Sequence, residues 1–147
     1  MHDVVMSRAS TKDLFIGVAA VADWRIANVS EQKLKKDIDG KMPTLEFSQN
    51  PDILAEVAAL PKPPYCVGFA AESENLLQYG EAKRKKKNIP LLVGNIGPQT
   101  FGKDQNELML IDANGHTHFP RADKHALAHQ LIAAIAARLE TSLQSTP

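Results

Sequence analysis

The chain has one cysteine, Cys66, and one tryptophan, Trp24, among 147 residues. A single thiol excludes a disulfide framework within the chain and fits a reducing compartment. Aromatic residues make up 5% of the chain and its formal net charge is zero. Nucleic-acid surfaces want a basic field and interleaved aromatics, so nucleic acid is not an expected partner. Any site for a polyanion must be local. No apolar run reaches the roughly 18 residues of a membrane-spanning helix, and Met1–Lys12 lacks the apolar core of a signal peptide; no membrane partner and a cytoplasmic location are expected. Three catalytic signatures are missing from the residues present: the Walker A loop, the Gly-x-Gly-x-x-Gly turn and the Gly-x-Ser-x-Gly elbow. Without the glycine turn, a dinucleotide-dependent oxidoreductase is disfavoured. There is no internal repeat.

What is present is ordinary globular material, 44% hydrophobic and 23% charged, enough for one domain with a real core. We expect that domain over 1–140, with 141–147 a disordered tail. Val4, Val5 and Ala9 stand at helical spacing in a short first helix without a capping signal, as if the chain began partway through a larger fold. Leu14–Val21 reads as a strand buried on both faces. Asn28–Pro43, polar and lysine-rich around Asp39-Gly40, reads as a mobile loop; Thr44–Phe47 reads as a short strand. Asn50-Pro51-Asp52 is a helix start with Asn50 as N-cap, and the helix runs through Ile53, Leu54, Val57 and Leu60 to Pro61. Cys66–Ala70 is a second buried strand closing on Glu72, Glu74–Asn88 a helix, and Ile89–Val93 a third strand. Glu107–Asp112 and His116–Phe119 flank Asn114-Gly115, the dipeptide of a type I′ hairpin. A last helix near Lys124–Leu139 carries the stripe Leu127, Leu131, Ile135, Leu139, with Ile132 beside it. The order predicts an α/β fold: a Rossmann-like, mostly parallel sheet flanked by helices, with an antiparallel hairpin appendage.

The most informative stretch is Ala19-Ala20-Val21-Ala22-Asp23-Trp24-Arg25, followed by Lys33-Leu34-Lys35-Lys36. Ligands of open α/β sheets bind beyond the carboxyl ends of strands, which is where Asp23 falls. A carboxylate for a cation and lysines for phosphates point to a nucleotide site. Each feature also has a plainer reading. Asp23 can cap a turn or pair with Arg25, a lysine run is usually a solvated surface, and Trp24 fits a core or interface anchor. Asn50 and Asp52 are explained by capping, though a helix N-terminus also presents N–H groups to an anion. Lys83 and Lys87 lie four apart within five consecutive cations near a helix C-terminus, which the macrodipole favours. His125 and His129 lack the intervening acid of a His-Glu-x-x-His site, so with His116 and His118 they read as exposed histidines rather than zinc ligands. Cys66 has no visible activating partner.

Taken in order, Ala19–Arg25, Lys33–Lys36, Asn50-Pro51-Asp52-Ile53-Leu54, Gly68-Phe69-Ala70-Ala71-Glu72, Lys83…Lys87-Asn88 and Phe101-Gly102-Lys103-Asp104-Gln105-Asn106 resemble phosphopantothenoylcysteine synthetase. That family forms the C-terminal part of the bifunctional bacterial coenzyme A flavoprotein. The resemblance runs from Asp3 to about Leu139. It implies a homodimeric, Mg²⁺-dependent ligase that couples 4′-phosphopantothenate to cysteine with CTP through an acyl-cytidylate. It places Lys33 in catalysis, Asp23 at the nucleotide through its accompanying cation, Phe69 in the nucleotide pocket, Lys83 and Lys87 on the phosphates, and Asn50 and Asp52 among the nucleotide-binding residues. FMN belongs to the family's decarboxylase domain, which this sequence lacks, along with the glycine-rich start of the synthetase and an asparagine acting on the intermediate. Asn95 is followed by Ile96 where the family usually has Asp. The 147 residues alone are therefore expected to fold without catalysing; the alternative is a non-catalytic nucleotide-binding or dimerisation module.

Overall fold

A computed structural model describes residues 1–33, 44–100 and 102–144, with the backbone alone at 98 and 99. The chain divides into two compact units, Met1–Val18 with Ile53–Pro147, and Ala19–Asp52.

The larger unit is a three-layer α/β sandwich. Its sheet has the order β1-β4-β5-β6-β7, formed by β1 (Leu14–Gly17), β4 (Tyr65–Glu72), β5 (Leu91–Ile96), β6 (Gln105–Asp112) and β7 (Gly115–Asp123). β1, β4 and β5 run parallel, while β6 and β7 continue the sheet antiparallel. The expected fold class is borne out, and the hairpin extends the main sheet. Strand alternation splits the core in two. Cys66 and Leu92 face Ala9 of α1 (His2–Ala9) and Ile53 and Val57 of α2 (Ile53–Ala58). Val67, Leu91 and Val93 face Leu127, Leu131 and Ile135 of α5 (Lys124–Gln144). Helix α3 (Leu76–Lys86) packs over β5 and β6, and the short α4 is Gly97–Thr100. No helix among the described residues is long and apolar enough to cross a membrane.

Several local expectations are corrected. The first strand stops at Gly17, and Val18 and Val21 are 61% and 46% exposed. As the sheet's edge strand β1 has, among the described residues, one strand neighbour, β4, and is only half-buried. The turn is not type I′. Asp112 pairs with Gly115, so Ala113 and Asn114 are central, and neither has positive φ; Gly115 takes φ +127°. Ile132 is 54% exposed, off the buried stripe of α5. That helix extends to Gln144, through the first residues of the expected tail, and Asp123 caps it by accepting from the His125 N–H at 2.8 Å. Helix α3 ends in a Schellman arrangement: Asn88 is left-handed (φ 51°), its N–H donates to Lys85 O at 3.1 Å, and the Ile89 N–H donates to Arg84 O at 3.2 Å.

The smaller unit contains a two-stranded antiparallel sheet, β2 (Trp24–Ile26) with β3 (Phe47–Gln49). The strand expected at Thr44–Phe47 lies slightly later. The expected N-cap at Asn50 does not form; α2 starts at Ile53. The Asn50 side chain is instead committed to the hairpin, its Nδ2 donating to Ala22 O at 2.7 Å and its Oδ1 accepting from Arg25 Nη1 at 3.0 Å.

Candidate functional site

In the smaller unit the structure brings Asp23 and Asn50 together. The Asn50 N–H donates to Asp23 O at 2.8 Å, and Arg25 Nη1 also donates to Gln49 O at 3.0 Å. The backbone at Asp23 is thus pinned from the opposite strand while its side chain is exposed. Arg25 spends its guanidinium on β3 and Asn50, not on Asp23. Trp24 is 59% exposed, so it is no core anchor. Lys33 and Asp52 are exposed. Leu34, Lys35 and Lys36 lie outside the described residues, as does Phe101.

In the larger unit the carboxyl end of β4, where the topology places ligands of parallel sheets, carries Glu72, and the candidate residues Phe69, Lys83 and Lys87 are spread around it rather than gathered there. Phe69 is 36% exposed, paired in register with Val93. By alternation it lies on the face opposite Glu72, the last residue of β4. Lys83, on α3, reaches back so that its Nζ lies 2.7 Å from Glu72 Oε1. Lys87 is the C-cap of that helix, about 6 Å further from Glu72 along the axis. The five-cation run is not a bare charged surface. Arg84 holds Glu81 through Nε at 2.9 Å and Nη2 at 3.1 Å, and Lys85 Nζ reaches Glu81 Oε1 at 3.1 Å. These partners hold the Glu81 carboxyl far down, at about 2, with Arg84 the larger cause.

Beside this edge a cavity of about 40 Å³ is lined by Leu76, Asn95, Ile96, Glu107, Met109 and His118, among others. Asn95 Nδ2 donates to Thr100 Oγ1 at 3.1 Å and to Asn106 Oδ1 at 3.4 Å. His118 Nε2 lies 2.7 Å from Glu107 Oε1. Among the described residues no three His, Cys, Asp or Glu side chains converge on a metal position. Cys66 is closed to nucleophilic chemistry: burial pushes its thiol up to about 11, and its Sγ–H donates to Pro64 O at 3.3 Å. Sequence reasoning passed over two features here, the Glu72 carboxylate as the partner of Lys83 and the Asn95–Thr100–Asn106 amide cluster. The only signal for the first was a strand closing on an acid.

Residues 1–139 match the family described as DNA/pantothenate metabolism flavoprotein, C-terminal domain. The chain belongs to that family. It is 42% identical over 132 residues to the coenzyme A biosynthesis bifunctional protein CoaBC of Vibrio cholerae, covering 87% of this chain and 33% of that protein. With CoaBC of Escherichia coli K12 it shares 39% identity over 145 residues, 95% of this chain and 36% of the relative. The chain thus spans about a third of the length of the curated relatives it matches. Among solved structures, the C-terminal domain of CoaBC superposes with a TM-score of 0.74 at 24% identity, over 95% of this chain and 61% of that one. A Cab2 mutant in complex with phosphopantothenate-cysteine superposes with a TM-score of 0.76 at 18% identity, over 95% and 49%. At these identities the likenesses establish the fold.

Proposed function

We propose that this chain is the nucleotide-handling part of a coenzyme A biosynthetic ligase that joins 4′-phosphopantothenate to cysteine using CTP. The observation that carries the reading is family membership along residues 1–139, with the lysine and acid positions of the resemblance present in this chain. In the proposed reaction the phosphopantothenate carboxylate attacks the α-phosphorus of CTP and expels pyrophosphate. The cysteine amine then attacks the acyl carbon of the acyl-cytidylate and CMP leaves. The demand on the protein is mainly electrostatic, offsetting charge on the triphosphate as the α-phosphorus is attacked. Lys33 supplies that charge as the catalytic residue; Lys83 and Lys87 hold phosphate oxygens, and Asn50, Asp52 and Phe69 complete nucleotide binding. Asp23 fits a Mg²⁺ ion held jointly with triphosphate oxygens, because Mg²⁺ is commonly bound by one or two carboxylates plus substrate phosphates. When bound, the ion offsets triphosphate charge.

Part of the relatives' length lies outside this chain, so the reading is best tested in a chimaera. Residues 1–139 would replace the matching segment of Escherichia coli CoaBC, and product would be followed with CTP, 4′-phosphopantothenate and cysteine. We expect phosphopantothenoylcysteine and CMP, a homodimer by sedimentation, and loss of product with Lys33→Ala at unchanged melting temperature. A folded chimaera that binds CTP without making product would leave a non-catalytic binding module in place of the ligase.

A further inference from the structure

We propose that Glu72 is a positioning residue: it fixes the Lys83 ammonium at the carboxyl end of β4, ready for a phosphate-bearing ligand. The Nζ–Oε1 distance is 2.7 Å, and the two side chains differ sharply, Lys83 being 49% exposed and Glu72 12%. The Glu72 Oε1 atom is buried and accepts no hydrogen bond from the described residues, so the Lys83 ammonium meets it as an ion pair without hydrogen-bond alignment. A lysine held only as surface charge pairs locally, as Lys85 does with Glu81 four residues earlier. Lys83 leans toward the helix N-terminus, the direction helical side chains take, and crosses to the last residue of a different element.

The burial difference sets the chemistry. A buried carboxylate stripped of its counter-ion is strongly disfavoured, so Glu72 keeps its hold on Lys83 whatever else the lysine meets. An ammonium has three N–H donors, and on its half-exposed side Lys83 can offer them to a second partner while its charge stays beside Glu72. Lysine carries large rotamer entropy, and a pre-fixed ammonium loses less of it when a phosphate arrives. Of the other charges on this helix, Arg84 and Lys85 are both committed to Glu81. That the second partner is a nucleotide triphosphate rests on the proposed function; the fixing of Lys83 does not.

Two measurements on the 147-residue chain separate these claims. Nitrogen-15 NMR of the lysine ammonium groups should show a slowly exchanging Lys83 signal that disappears in Glu72→Gln. Titration with tripolyphosphate, and with CTP plus Mg²⁺, should show Glu72→Gln binding roughly five- to tenfold more weakly, with Glu72→Asp in between. The sign is decisive, because deleting a negative charge beside an anion would by simple electrostatics tighten binding. Unchanged or tighter binding in a folded Glu72→Gln variant overturns the proposal, and so does a freely exchanging Lys83 in the unaltered chain, even if CTP binds. A held Lys83 with tripolyphosphate bound but no CTP response sustains the proposal and removes the nucleotide reading. Failure to bind either anion overturns both.

Discussion

Arg138 of α5 grips Asp112 at the end of β6 with two nitrogens on one oxygen, Nη2 at 2.9 Å and Nε at 3.0 Å from Oδ2. The other carboxylate oxygen accepts the Asn114 N–H at 2.8 Å, so the same side chain shapes the hairpin turn. Arg138 Nη1 donates to Ala134 O at 3.1 Å within its own helix. The last helix and the hairpin tip are tied through one carboxylate that is 17% exposed.

Asp112→Ala removes the turn acceptor and leaves a partly buried guanidinium without its carboxylate. We expect a loss of about 2–3 kcal/mol in urea unfolding, and a smaller loss for Asp112→Asn, which keeps the turn bond. A loss below about 0.5 kcal/mol for the alanine variant would show that the pair is solvated and of little weight.

Gly68 sits where two layers close on β4. A Cβ there would stand 2.7 Å from Ile89 Cδ1 and 2.8 Å from Leu54 Cδ2. Ile89 is 2% exposed and boxed into the α1–α2 core, so its tip does not yield freely, while Leu54 is only partly buried. Gly68→Ala should therefore cost about 1–3 kcal/mol as overpacking. Gly17→Ala is the control: its nearest neighbours lie at 3.6 Å or beyond, an ordinary contact, and it should change stability little. Equal urea midpoints for the two variants would contradict this account of the packing.

His2 joins α1 to α2, with Nε2 2.8 Å from Glu56 Oε2 and Nδ1 2.9 Å from Asp3 Oδ1. The bond to Glu56, then that to Asp3, raises the imidazole above its ordinary 6.5. A raised pKa means that the proton binds more tightly in the folded state. The stabilisation is therefore complete below pH 6.5 and fades as pH rises through the folded value. Melting temperatures of the unaltered chain and of His2→Gln should differ most at mildly acidic pH and converge in alkali. A constant gap across that range would show that His2 acts without its charge.

The sheet was legible in the sequence because its central strands are short apolar runs, Cys66–Ala70 and Leu91–Val93, that the helices bury on both faces. The stripe Leu127, Leu131, Ile135 was legible for the same reason. The smaller unit was not. β2 and β3 are three residues each, too short to show a period, and their pairing spans a stretch with no intervening pattern. Asn50-Pro51-Asp52 carries good capping chemistry, but the Ala22 carbonyl and Arg25 claim the Asn50 side chain first. Of the candidate site, the sequence exposed the residue types. It could not show that Lys83 is held by Glu72, because an ion pair between a strand end and a helix eleven residues later leaves no local spacing rule to read.

Calorimetric titration of the chimaera carrying residues 1–139 with CTP, ATP and GTP in the presence of Mg²⁺ tests the central claim most directly. The account predicts measurable heat with CTP, displaced poorly by ATP or GTP, and weakened by Lys33→Ala and Lys83→Ala. Equal binding of all three nucleotides, or none by a folded chimaera, would contradict it.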